Sequence, residues 1–222
     1  VTVGASGLLD MDDGTLTFDG SSDSVVTTPT PGANQDFYRV VVNKSGAGEV
    51  RLASNVDING SLVIDDGVFD SDTFDLTVAQ DFTNNASGAD GFDFSDASTQ
   101  ITFDGSAAQA VLSGGDPFNA VVYASSSTGV LVLLDTMTVG TGLGAGTSLQ
   151  VTSGGLKLNG QTLQIQPSTT FLFTSSTATP NGALTSTTRG SAITRAGGAG
   201  TFTMTFEEGQ IDVNHLDLSY MD

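Results

Sequence analysis

The sequence predicts an all-β chain folded as a parallel β-helix (β-solenoid) with short strands and coils of about 20–25 residues, and three observations carry that prediction. Strand-like triplets recur at nearly constant spacing: Leu16-Thr17-Phe18, Val40-Val41-Val42 and Leu62-Val63-Ile64 start 24 and 22 residues apart. Apolar and small polar residues alternate in Thr15-Leu16-Thr17-Phe18 and in Thr201-Phe202-Thr203-Met204-Thr205-Phe206. That is the period-2 pattern of a strand with one buried face, whereas helical spacing is nowhere sustained. Turn pairs punctuate the strands, among them Asp19-Gly20, Asn59-Gly60, Asp66-Gly67, Asp104-Gly105 and Asn159-Gly160.

Taken along the chain, the blocks repeat. Leu16-Thr17-Phe18-Asp19-Gly20-Ser21 returns 85 residues later as Ile101-Thr102-Phe103-Asp104-Gly105-Ser106. The block from Phe37 to Val42 returns at Phe118 to Tyr123, an offset of 81, and Ser61-Leu62-Val63-Ile64 returns as Ser148-Leu149-Gln150-Val151, an offset of 87. The preserved order implies two diverged copies, about 15–80 and 100–167, inside a single domain 1–222. A second strand series runs through Val50-Arg51-Leu52 and Phe69. From Ser168 onward the spacing dissolves, and the divergent region 168–222 is expected to cap the stack. The competing architecture is tandem β-sandwich domains, in which the same Gly pairs would close antiparallel hairpins.

Composition narrows the function. The chain carries 25 acidic and 6 basic residues, with 17 acids and 3 bases in residues 1–100. Such a surface repels phosphate backbones and anionic lipid, so neither nucleic-acid binding nor membrane insertion is expected. Cysteine is absent, which removes disulfides, thiol nucleophiles and Cys-based zinc sites. The chain opens on Val1 with no signal segment and is expected to be a processed piece of a longer precursor.

Few residues could carry chemistry. His215 is the single histidine, and no Gly-x-Ser-x-Gly elbow accompanies it, so nucleophilic catalysis has no base beside a hydroxyl. Carboxylates cluster at Asp10, Asp12 and Asp13, at Asp65, Asp66, Asp70, Asp72 and Asp75, and at Asp90, Asp93 and Asp96. Hard cations bind several oxygens, which makes Asp65, Asp66, Asp70 and Asp72 the candidate metal ligands and calcium the candidate cofactor. None of the clusters has the spacing of a known calcium loop; solvated acids and Asx turns are the alternative reading. Glycoside chemistry would need aromatic platforms, but Trp is 0 and most of the 13 Phe occupy strand positions. Ice binding would need Thr-x-Thr at coil spacing, which the sequence lacks.

Phe103-Asp104-Gly105-Ser106-Ala107-Ala108-Gln109-Ala110-Val111, followed by Phe118-Asn119-Ala120-Val121-Val122, resembles degenerate repeats of large bacterial surface proteins that form right-handed parallel β-helices. The stretches Gly209-Gln210-Ile211-Asp212-Val213 and Ser219-Tyr220-Met221-Asp222 are similar to later coils of the same group. The resemblance implies an extracellular or cell-surface adhesin, stalk or filament and transfers no catalytic residue. The expected function is a non-enzymatic structural or adhesive module whose partners are further copies, joined head-to-tail, or a surface glycan. The alternative is a β-helix that binds or processes polysaccharide, with calcium bridging acidic turns to the ligand.

Overall fold

The computed structural model describes every residue except 5–6, 30–34, 87–90, 95–98, 126–127, 141–146, 176–182, 187, 198, 215, 220 and 222. It is a parallel β-helix: among the described residues there is no helix, and every strand pair is parallel. Parallel neighbours cannot be joined by tight hairpins, so the chain must travel around the stack before returning to the same sheet. It visits three faces in turn.

The first face is a sheet of nine strands: Thr15–Gly20, Arg39–Lys44, Leu62–Asp66, Phe82–Asn84, Gln109–Leu112, Val130–Leu133, Gly155–Lys157, Ala183–Ser186 and Gln210–Val213. The second has seven, from Val56–Ile58 and Leu76–Val78 through Gln100–Phe103, Ala120–Ala124, Thr147–Ser153 and Thr170–Phe173 to Thr203–Phe206. A bridge between Phe37 and Ile58 links it to the earlier pair Leu9–Asp10 and Gln35–Asp36. The third face comprises Ser24–Val26, Glu49–Leu52, Val68–Asp70 and Gly91–Asp93, then Met137–Val139, Thr162–Ile165, Ala192–Arg195 and Asp217–Leu218. Its two halves are spliced by bridges from Phe94 to Phe118 and from Phe118 to Val139.

Register follows the alternation read from sequence. On the second face Val56, Leu76, Ile101, Val121, Leu149, Phe171 and Met204 pair in succession and form one inward column. A parallel column runs from Ile58 through Val78, Phe103, Tyr123, Val151 and Phe173 to Phe206. All members but Met204 and Phe206 are buried, and the core is one continuous apolar cluster from Phe18 to Phe202. At mid-length phenylalanines from all three faces meet: Phe82 lies edge-on to Phe92 at 4.9 Å and to Phe118 at 5.5 Å, and reaches Phe103 at 6.4 Å. Phe92 stacks on Phe94 at 4.9 Å. Such pairs add to plain area burial and fill the lumen without voids.

The repeated blocks stack as their spacing implies. Leu16, Val40 and Leu62 occupy three successive rungs of the first face, and Ile101, Val121 and Leu149 occupy three successive rungs of the second. The two series thus share strand-and-turn form while lying on different faces. Coil length is less regular than the triplets imply, from 19 residues between Val50 and Phe69 to 33 between Phe171 and Met204. The longest coils fall after Ser168, where the connections lengthen. There the stack continues on all three faces, although its spacing is lost to the eye in the sequence.

Corners between faces must turn a buried backbone without orphaning its polar groups. Gly60 and Gly105 sit where a Cβ would fall 1.8 Å from the Tyr38 carbonyl oxygen and 1.9 Å from that of Ala79, so only glycine lets the rungs close. Lys44 is 2% exposed, and its ammonium donates to the carbonyls of Asp19 and Ser22 and to Ser24 Oγ at 3.0, 2.7 and 2.8 Å. Three donors meet three acceptors, which offsets the cost of burying the charge.

Because each coil touches only its neighbours, a core truncation should act locally. Phe103→Ala is expected to cost on the order of 3–5 kcal/mol in urea unfolding. Thr17→Ala, on the exposed side of its strand, is expected to stay within about 0.5 kcal/mol. Hydrogen exchange on Phe103→Ala should show lost protection centred on 76–124, with the first rungs spared. Uniform loss along the chain would contradict coil-by-coil stability.

Candidate functional site

The acidic residues singled out in sequence are distributed by the fold. Asp65 and Asp66 end the strand Leu62–Asp66 on the first face. Asp65 Oδ1 accepts from Asn85 Nδ2 at 2.9 Å, one rung along, and Asp66 Oδ1 accepts from the amide of Gly67 at 3.0 Å. Asp70 lies around the corner, at the end of Val68–Asp70 on the third face. Its Oδ1 accepts from the amide of Asp72 at 2.7 Å, an Asx turn that holds Asp72 in the left-handed region at φ 51°. Asp75 belongs to the next corner, where its Oδ1 accepts from the amide of Gln100 at 2.9 Å.

Four carboxylates close in sequence therefore straddle a corner, and their oxygens are spent on backbone and amide donors. Among the described residues no three His, Cys, Asp or Glu side chains gather closely enough to hold an ion. The Asp10, Asp12 and Asp13 group shows the same local chemistry, with the Asp12 amide donating to Asp10 Oδ1 at 3.1 Å. Asp90, Asp96 and His215 lie outside the described residues.

One outward column does concentrate charge. Arg51, Asp70 and Asp93 pair in register on the third face. Burial raises the Asp70 carboxyl above its ordinary value; the charges of Asp93 and Asp72 add to the rise, while the Asp72 amide and Arg51 oppose it. Asp104, after the strand Gln100–Phe103, is also raised by burial. Tyr123 is a core residue whose hydroxyl burial pushes up to about 12, with Ser125 offsetting part of the rise.

Sequence reading missed the polar residues that brace the corners. Asn84, 1% exposed, donates to the Ser113 carbonyl at 2.9 Å and to Asp116 Oδ2 at 2.8 Å, and that same oxygen accepts from the amide of Phe92. Asp135 accepts from the amides of Ser113 and Gly114 and from Ser113 Oγ. Gln109 donates to the carbonyls of Val78 and Gln80 at 2.9 and 2.7 Å while its Oε1 accepts from the amide of Gly105 at 2.9 Å. Their sequence signal is weak, since a lone Asn, Asp or Gln after a strand reads as an ordinary solvated turn.

The corner braced by Gln109 frames a surface groove of about 360 Å³, between the second and first faces, lined by Asn59, Ala79, Gln80, Asp81 and the segment from Gly105 to Ala108. Gln80 Nε2 donates to the Tyr38 hydroxyl at 3.1 Å, and Asp81 Oδ1 accepts from the amide of Ala110 at 2.8 Å. Comparison with known protein families, curated proteins and solved structures finds no match to this chain. Any function must therefore be argued from the rod and its surface.

Two outcomes follow from the carboxylates. A carboxyl raised in the folded state costs stability when ionised; the cost is present at neutral pH and lifts as pH falls through the raised value. Asp70→Asn keeps the acceptor for the Asp72 amide, so it should raise the melting temperature at pH 7. That gain should fade as pH drops below the ordinary carboxyl value of 3.8. Exchanging chelator for millimolar calcium should leave the melting temperature unchanged, because an ion without a native site adds no stability by mass action.

Proposed function

We propose that this chain is a structural or adhesive rod of an extracellular or cell-surface protein, and not an enzyme. The observation that carries the reading is the unbroken stack: nine rungs on the first face, all parallel, around one apolar core. At roughly 4.8 Å per rung the stack is about 40 Å long. Its interior is filled by side chains, and its outward strand positions are dominated by Thr, Gln, Val and acids. That architecture supports a spacer that resists collapse and stays soluble through its net charge of −19.

The ends support head-to-tail association. The strand Gln210–Val213 pairs with Ala183–Ser186 on one side, and Ile211, Leu218 and Met221 are 47, 41 and 38% exposed. Ile211 and Leu218 continue inward columns through Leu184 and Ile193. At the other end Thr15–Gly20 pairs on one side with Arg39–Lys44. A parallel edge at one end complements a parallel edge at the other, which gives a heterologous contact that extends as a fibre. Further coils of one chain would satisfy such an edge in the same way.

Electron microscopy of concentrated protein is expected to show fibres with the axial rise of stacked rods. Ile211→Asp with Leu218→Asp should abolish them while leaving the melting temperature nearly unchanged, since both residues are exposed. Monodisperse particles from the native chain at every concentration would remove the filament reading.

A further inference from the structure

We propose that the groove between the second and first faces binds a short segment of a neutral polysaccharide. The inference is independent of end-to-end assembly, because the groove lies on the flank of the rod.

The groove exists because one corner is longer than those beneath it. From Ile58 to Leu62 and from Val78 to Phe82 the chain turns in three residues, whereas from Phe103 to Gln109 it takes five. The extra length makes the segment from Gly105 to Ala108 overhang the previous rung. That overhang is pinned. Gln109, 1% exposed, ties Gly105 to the carbonyls of Val78 and Gln80, and Gly105 packs against the Ala79 carbonyl so closely that no side chain fits. Rigid walls lower the ordering cost of binding, which is what a shallow site most needs.

The lining indicates the ligand. Asn59 and Gln80 offer amides, Ser106 a hydroxyl and Asp81 a carboxylate, interleaved with the methyls of Ala107 and Ala108. Among the described residues nothing engages the second oxygen of Asp81 besides what a ligand would bring, its first being held by Ala110. This mixture of donors and acceptors matches a molecule rich in hydroxyls, each able to donate and accept. No Lys or Arg lines the groove, so an anionic ligand would find a carboxylate and no counter-charge. Asn59, Gln80 and Ser106 lie on three successive rungs, a span of roughly 10 Å along the rod, which suits an extended chain better than a single ring. Tyr38, held by Gln80 and only partly buried, flanks the lower end and offers the one aromatic edge nearby.

The test is titration of the isotope-labelled chain, followed by amide NMR, with neutral hexasaccharides of glucose, mannose and N-acetylglucosamine. Oligogalacturonate and spermine serve as anionic and cationic probes. At least one neutral probe is expected to shift the amides of Gln80 and of Gly105 to Ala108 saturably below about 10 mM. Ser106→Glu, at an exposed position, should weaken that binding at least about tenfold with an unchanged melting temperature. Gln80→Ala should do the same without adding charge. The proposal is overturned if no neutral probe saturates, if the shifts lie away from this corner, if both variants bind as the native chain does, or if only the charged probes bind.

Discussion

Each rung of this rod hydrogen-bonds to the rung before and the rung after, in register, on three faces at once. Because the side chains of a strand alternate with period 2, a slip of one residue on any face would turn a whole apolar column outward. The columns through Ile101 and Phe103 would then be exchanged for Gln100 and Thr102. Register on one face is also tied to register on the others, since the same chain passes through all three within a coil. Parallel pairing in fixed register is therefore the constraint that sets the core, the spacing of the corners and the shape of the surface.

The corners solve what pairing leaves open. Between strands the backbone has no ladder partner, so buried amides and carbonyls need side chains to receive them. Asn84 with Asp116, Gln109 with Gly105, and Asp135 with Ser113 each bridge from one rung to another. Lys44 does the same with a charge, surrounded by three oxygens. Such networks are costly when half satisfied, which makes them anchors of corner geometry rather than ornaments of the surface.

This logic explains what could be read from the sequence. Leu16, Val40 and Leu62 were legible as one stacked series because the inward apolar residues recur where strands recur, and the structure pairs them as read. Phe18 and Phe103 are both buried, as their alternation with Thr17 and Thr102 implies. The face on which a block lies was not legible, because every face demands the same alternation: the Ile101 block repeats the Leu16 block yet sits on the second face. Nor were the coils after Ser168, since connection length varies freely once the strands pair. The candidate metal site misled for a related reason. Asp65, Asp66, Asp70 and Asp72 are near in sequence, but a corner falls between Asp66 and Asp70 and directs them to separate faces.

A filled lumen has a consequence for function. In a globular fold the site can lie in a cleft between elements, but here the space between the faces is occupied by stacked Phe, Leu, Ile and Val, with ring centroids as close as 4.9 Å. Recognition must then use the outside, where strand positions are fixed by register and present flat, repetitive surfaces. Corners are the places where chain length can change without disturbing a column, because a longer loop leaves both flanking strands in register. The five residues between Phe103 and Gln109 are such a change, and Phe103 and Val111 keep their columns on either side of it. A rod of this kind can acquire a binding groove by lengthening one corner and bracing it, while its stability remains in the ladder below.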